Sequence, residues 1–285
     1  MINDNRPTIN QLDPLPFVDP VNRYLLFINS KCGGTTIKYW FFRNVGVMGN
    51  EFNLPWLTRY FGIKFALQFM TKMALEDRAT RYDNNLGIRS LTKIYRNQFS
   101  APFMARHQHQ GFRQVLVCRN PYDRVVSGFI DKFCGDDKNK PWVREIIEHY
   151  GSGGAISFNQ FLDHLLDAPE EAHNRHWRRQ TYIIDGQNID AMIRLEHLLE
   201  DFEANRHLFG DADFGPLTSK SQSNQYAASF PADINVVNRT NLELVGLKNE
   251  HQAFPPKKQF LNDETIGKIN RIYAEDFERL PYSPT

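Results

Sequence analysis

"LLFINSKCGGTTIKYWFF", residues 25–42, passes from an apolar run through a lysine, two glycines and two threonines into an aromatic, helix-like stretch. The apolar run, Tyr24 to Asn29, has the length and content of a buried strand, and the stretch beyond the glycines has helical periodicity through about Arg43. Strand, bend and helix make the first half of a βαβ unit. Gly33 and Gly34 let the backbone approach a ligand, and amides at a helix start point outward. Thr35 and Thr36 add hydroxyl donors, and Lys31 adds a full charge. Such a loop suits an anion, most often phosphate. The nucleotide-kinase pattern GxxxxGK[ST] is absent because the lysine precedes the glycines, which disfavours a nucleoside triphosphate with its magnesium ligand. Taken alone, the motif also fits an ordinary strand-to-helix turn.

Further along, "RQVLVCRN", residues 113–120, reads as a second strand, and "PYDRVVSGFIDKF" as the helix that follows it, with Pro121 in the first turn. Arg119 ends the strand and Ser127 lies two helical turns on, so an arginine fork supported by a hydroxyl can hold a second anionic group. Arg124 and Lys132 fit a solvated helix face equally well. "IDAMIRLEHLLEDFEANRHLFG" reads as a third strand running into a helix. "FNQFLDHLLDA" and "NDETIGKINRIYAEDFERL" read as amphipathic helices capped at Ser157 and at Asn262 or Asp263. Residues 211–260 read mostly as loop. Strands alternating with helices predict an α/β fold, a parallel sheet flanked by helices. A helical insertion is expected over about 54–106, an irregular arm over 1–20, and one domain over 21–285.

The 285 residues carry a formal charge of +1, so charge offers no argument for nucleic acid or membrane partners. Cys32, Cys118 and Cys134 lack zinc-site spacing and are too few for a disulfide framework. No signal-peptide core and no apolar stretch of spanning length occurs, so a cytoplasmic protein without a membrane span is expected. No metal is expected either.

The pair "SKCGGTTIKYW" and "VCRNPYDRVVSGFIDKF" resembles the two cofactor motifs of sulfotransferases that use 3′-phosphoadenosine-5′-phosphosulfate (PAPS), in the carbohydrate sulfotransferase branch (sulfotransferase family 2-like). "HWRRQTYI" at 176–183, "IDAMIRLEHLLEDF" and "IYAEDFERLPY" are similar to further family segments, so the likeness spans about residues 22–282. Ser30 and Arg179 stand where the family usually has proline, and the N-terminal anchor of the animal enzymes is absent. The resemblance implies a P-loop-like fold, PAPS as donor and its desulfated product PAP. It assigns Lys31, Cys32, Gly33, Gly34, Thr35 and Thr36 to the 5′-phosphosulfate, and Arg119 and Ser127 to the 3′-phosphate. It also implies that Lys31 steadies charge on the leaving group and that a hydroxyl or amine of a carbohydrate or glycoconjugate is the acceptor. Six Arg or Lys against three Asp or Glu over 76–106, with three more arginines in "NRHWRRQ", point to an anionic acceptor.

For the general base, His107 and His109 alternate on a segment read as extended just before the second strand, with His109 preferred and His176 or Glu196 next in line. The competing functions are a P-loop-like nucleotide kinase and a non-catalytic nucleotide-binding module.

Overall fold

The computed structural model describes residues 14–75, 85–218, 230–231 and 234–285. Internal contacts divide the chain into two compact units, one of Met1–Cys118 and Tyr182–Ser219, the other of Arg119–Thr181 and Lys220–Thr285.

The first unit is built on a four-stranded sheet in the order β1 (Phe17–Asp19), β2 (Tyr24–Ile28), β3 (Arg113–Cys118), β4 (Ala191–Arg194). Every residue of β2 is buried, as a strand covered on both faces requires, and this is why it reads as an unbroken apolar run. β2 pairs in parallel with β3, Ile28 opposite Val117, and β3 in parallel with β4, Cys118 opposite Arg194. The three expected strands are present and the fold is the expected α/β class, a mostly parallel sheet with helices about it. β1 is an addition: Phe17–Asp19 lies in the segment read as an irregular arm, yet pairs antiparallel with β2. A three-residue strand carries too little periodicity to be legible. What makes it is its neighbourhood: the Asp19 carboxylate accepts from the Val21 and Asn22 amides, closing the turn, and the Tyr95 hydroxyl donates to Val18 O. The remainder of the arm, 1–13, lies outside the described residues.

Helix α1 (Gly34–Asn44) buries Ile37, Trp40, Phe41 and Phe42. The helical insertion consists of α2 (Leu54–Phe61), α3 (Ile63–Leu75), α4 (Asn85–Tyr95), a π-helical turn Arg96–Ser100 and α5 (Ala101–Ala105); 76–84 within it lie outside the described residues. Phe17, Phe41, Phe42, Phe61, Phe65 and Phe99 surround the Tyr95 ring at centroid distances of 5.3–6.2 Å, so this insertion shares one aromatic core with β1 and α1. Helix α9 (Leu198–Ala204) follows β4 through a 3₁₀ turn, Leu195–His197.

In the second unit, helix α6 (Pro121–Phe133) is capped by Asn120, whose Oδ1 accepts from the Tyr122 amide. Helices α7 (Pro141–Tyr150) and α8 (Phe158–Asp167) follow, α8 opening on a Ser157–Gln160 capping box. Phe129, Phe133, Phe158, Phe161 and Trp177 form the centre of its core. Two expectations need correction here. Within the stretch read as loop, Asn241–His251 is a helix, nucleated by a reciprocal Thr240–Glu243 capping box; only Asn241 and Leu244 of it are buried, which is why periodicity failed to show it. The C-terminal helix is two helices, Asp263–Ile272 and Ala274–Arg279. The break falls at Tyr273, whose hydroxyl donates to Trp177 O.

Candidate functional site

β2 ends at Ile28, and the chain turns through 29–33, with the Cys32 amide donating to Asn29 O, before α1 starts at Gly34. Two residues of this turn are left-handed, Lys31 and Gly33, both at φ 68°. For a lysine that conformation costs roughly 1 kcal/mol. Alternating handedness of this kind folds successive amides into a concave nest for an anion. No side chain caps α1 at Gly33 and no acidic residue occupies its first turn, so no carboxylate of that turn offsets the positive partial charge of the helix start.

The two glycines are not equivalent. A Cβ on Gly33 would stand 2.5 Å from Leu195 Cδ1, and its φ is left-handed as well. On Gly34 it would meet nothing closer than 3.7 Å, where the Lys38 side chain lies. Gly33 is therefore required by the fold. Lys38, unremarked in the sequence, adds a second cation at the helix start, brought there because it lies one helical turn beyond Gly34. Cys32 is wholly buried, its amide turned to Asn29 O and its thiol 3.8 Å from Ser30 O; Thr35 is exposed and Thr36 half-buried.

β4, parallel to β3 and hence to β2, leaves the sheet at the same carboxyl edge as this loop. Leu195 packs at Gly33 and Glu196, the next residue, is exposed. Arg194 forks onto Asp201, with contacts of 2.9 and 2.6 Å. Burial pushes the Asp201 pKa up, and the bonds from Arg194 more than offset it, leaving it below the usual range.

His107 and His109 are at the other edge. They stand in a turn after α5, not in an extended segment: His107 has φ 54°, and its amide donates to Met104 O. The rings are nevertheless only 6.0 Å apart, and burial followed by the neighbouring His107 lowers the His109 pKa. The turn feeds the amino end of β3, where the Arg113 amide bonds Arg23 O and the Arg23 guanidinium lies over Phe112. Because β2 and β3 run in parallel, the anion loop leaves the sheet a full strand away, about 17 Å at ~3.3 Å per residue. The two histidines therefore stand at the amino edge of the sheet and the loop at its carboxyl edge.

In the second unit Arg119 is the residue after β3. Its amide donates to Gln180 Oε1 at 2.8 Å and its carbonyl accepts from Gln180 Nε2 at 2.7 Å. Its guanidinium is 3.9 Å from the Asp123 carboxylate, which Lys257 also contacts at 2.9 Å. Ser127 is half-buried on α6. Arg124 and Lys132, which fitted a solvated face, are instead buried and partnered. Arg124 donates to Arg178 O at 2.8 Å and Arg175 O at 3.2 Å, while Lys132 pairs with Asp131 and Asp137. His176 holds Asn174 Oδ1 through both its amide and Nδ1. Trp177 is core, 5.2 Å from Phe161 and 5.9 Å from Phe133, and Arg179 is paired with Glu170 and Glu275. The residues that sequence reasoning left without a role are Gln180 and Asp276. Both sit inside the quoted segments 176–183 and 272–282, so the signal was there without its meaning.

Among the described residues no group of three His, Cys, Asp or Glu side chains could hold a metal ion, and no helix is long and apolar enough to cross a membrane. Neither the curated proteins nor the solved structures contain a match to this chain. The model of the Sulfotransferase family, in contrast, matches residues 17–283, from β1 through the anion loop and Arg119 to the last helix. The match covers nearly the whole length, and the chain belongs to the Sulfotransferase family, a family of transferases.

Proposed function

We propose that the chain transfers a sulfuryl group from PAPS to a hydroxyl or amine of a carbohydrate-type acceptor, and that the two units act together as one sulfotransferase domain, since the family match spans both. The observation that carries this is the left-handed Lys31–Gly33 turn at the uncapped start of α1. The donor set suits a phosphosulfate: a nest of amides, two ammonium groups and two hydroxyls, with no carboxylate in the first turn. PAPS supplies the activated sulfuryl group and a 5′-phosphate leaving group.

On this reading the amides of 33–36 with Thr35 and Thr36 hold the 5′-phosphosulfate, and Arg119 and Ser127 take the 3′-phosphate. The Lys31 ammonium steadies the charge that grows on the bridging oxygen, where an interaction is worth most in the transition state. The proton of the acceptor goes to a group at the carboxyl edge of the sheet, and Glu196 stands there beside Leu195. His109, at the amino edge, does not take it.

A carbohydrate acceptor rests on the family branch, and an anionic one on the basic residues noted above. Of these, Arg78 and Arg81 lie outside the described residues, Arg89, Lys93 and Arg175 are exposed, and Arg179 is already paired. A nucleotide kinase is disfavoured by Thr35 standing where its lysine belongs, and a non-catalytic module by Lys31.

The test is thermal shift with PAP, AMP, and ATP with magnesium, followed by transfer from labelled PAPS to a panel of sugars. PAP is expected to raise the melting temperature most, because a ligand of the native state stabilises it by mass action. A larger shift with ATP and magnesium refutes the assignment, and so does a complete absence of transfer across acceptors despite tight PAP binding.

A further inference from the structure

We infer that Gln180, fixed by the buried carboxylate of Asp276, is a positioning residue for Arg119 and thereby sets how strongly the protein distinguishes a nucleotide bearing a 3′-phosphate from one without it. The inference rests on the proposed reading of Arg119.

The strand ladder between β3 and β4 ends at Cys118, so residue 119 lies beyond the regular pairing that orients its predecessors. A side-chain amide takes over. The carbonyl and amino groups of Gln180 engage both the N–H and the C=O of Arg119, the same two-point contact that a paired strand residue makes. With the peptide fixed at two points, only side-chain torsions are left to place the guanidinium. A bidentate phosphate contact is geometrically demanding, so this matters more for an arginine than for a lysine.

Gln180 is itself held from two sides. It is fully buried, and Asp276, also fully buried, accepts from the Gln180 amide, the Thr181 amide and the Thr181 hydroxyl, each at 2.9 Å. Gln180 Nε2 also reaches Asp276 Oδ2 at 3.4 Å. On the other side, Arg124, only 1% exposed, donates to the carbonyls of Arg175 and Arg178. The segment 175–181 is thus pinned to α6 at one end and to the helix Ala274–Arg279 at the other. A buried carboxylate is costly unless its lone pairs are filled, and here they are filled by the two residues whose backbone it orients. The Arg119 guanidinium also stands 3.9 Å from the Asp123 carboxylate.

The experiment measures the dissociation constants of PAP and AMP, with the melting temperature, for wild type, Gln180→Ala, Arg119→Ala and the double variant. Arg119→Ala is expected to weaken PAP about 100-fold and leave AMP within about twofold. Gln180→Ala is expected to weaken PAP about 10-fold, also sparing AMP. The double variant should bind PAP no more weakly than Arg119→Ala alone, because Gln180 acts through Arg119. If Gln180→Ala does not fold, Gln180→Met replaces it; it is uncharged and of similar volume, lacks both hydrogen bonds to Arg119, and should give the same loss of selectivity. Equal weakening of PAP and AMP, additive losses in the double variant, or unchanged PAP binding in Gln180→Ala overturns the inference. Wild-type PAP binding by Arg119→Ala overturns the 3′-phosphate reading, and the inference with it.

Discussion

The loop 29–36 and the segment 119–127 carry comparable proposed duties, each receiving one anionic group, yet they are shaped in different ways. At the loop the chain shapes itself: two left-handed residues, an uncapped helix start and a lysine all fall within six positions. At Arg119 the shape comes from outside, through Gln180, 61 residues away, and through Asp276 near the C-terminus. A local device is robust to distant change and carries its strain on site. A scaffolded residue is unstrained but inherits the fate of every residue in its support. The loop should therefore fail through its own atoms, and Arg119 through others.

The largest expected effect is at Lys31. Lys31→Ala should lower turnover by roughly 10²- to 10³-fold, the cost of removing a preorganised transition-state contact, with the Michaelis constant for PAPS changed only a few fold. Lys31→Gly should lose turnover equally while melting no lower than wild type, since glycine adopts φ 68° without the penalty. A tenfold rise in the Michaelis constant with turnover intact would show that Lys31 binds without catalysing.

Next in size is the contrast of the two sheet edges. Glu196→Gln should cut turnover by about 10²-fold, the usual contribution of a general base, with PAP affinity kept, whereas His109→Ala should leave turnover within twofold. The reverse pattern, read in steady-state kinetics with a confirmed acceptor, would return the base to the amino edge and invert the comparison.

The glycines sharpen the idea of a self-shaped loop. Gly33→Ala should destabilise by about 1–2 kcal/mol, from the left-handed backbone and the encounter with Leu195, and should weaken PAP. Gly34→Ala, in ordinary contact distance of its surroundings, should be within ~0.5 kcal/mol of wild type. Denaturant melts of the two variants decide it, and equal losses would mean that both glycines serve the ligand rather than the fold.

The smallest effect concerns the second unit's own stability. Burial first, and then His173, push the His164 pKa down from 6.5 to about 4, and burial lowers His173 as well. Both rings are neutral in the folded state, while the unfolded chain takes up protons near 6.5. Stability from this pair is therefore full above the ordinary histidine range and is lost as pH falls from there toward 4. Melting temperature against pH should show that decline, and His164→Gln should flatten it. An unchanged slope in the variant would assign the acid sensitivity elsewhere.

How legible each part was follows from how far its causes reach along the chain. The strand β2 and the centre of β3 are continuous apolar runs and the caps at Ser157 and Asn262 are local patterns, so they were readable. β1 was not, because three residues acquire their structure from partners, and the helix Asn241–His251 was not, because its few buried residues leave little periodicity despite the local Thr240–Glu243 capping box. The H-x-H alternation at 107–109 misled because alternation implies one face only on a strand, and here a turn with His107 in the left-handed region makes the pair.

The sequence by itself determined the order of the motifs, the charge and hydroxyl content of the anion loop, and membership of a family, since each is a property of neighbours along the chain. Tertiary structure alone decided which edge of the sheet a residue occupies, and so parted His109 from Lys31. It decided that Arg124 is a buried strut and not a solvated charge. It decided too that Gln180 and Asp276 stand behind Arg119. Parallel pairing fixes direction as well as adjacency, and a buried polar group must find its partners wherever the fold brings them, at separations no local pattern records.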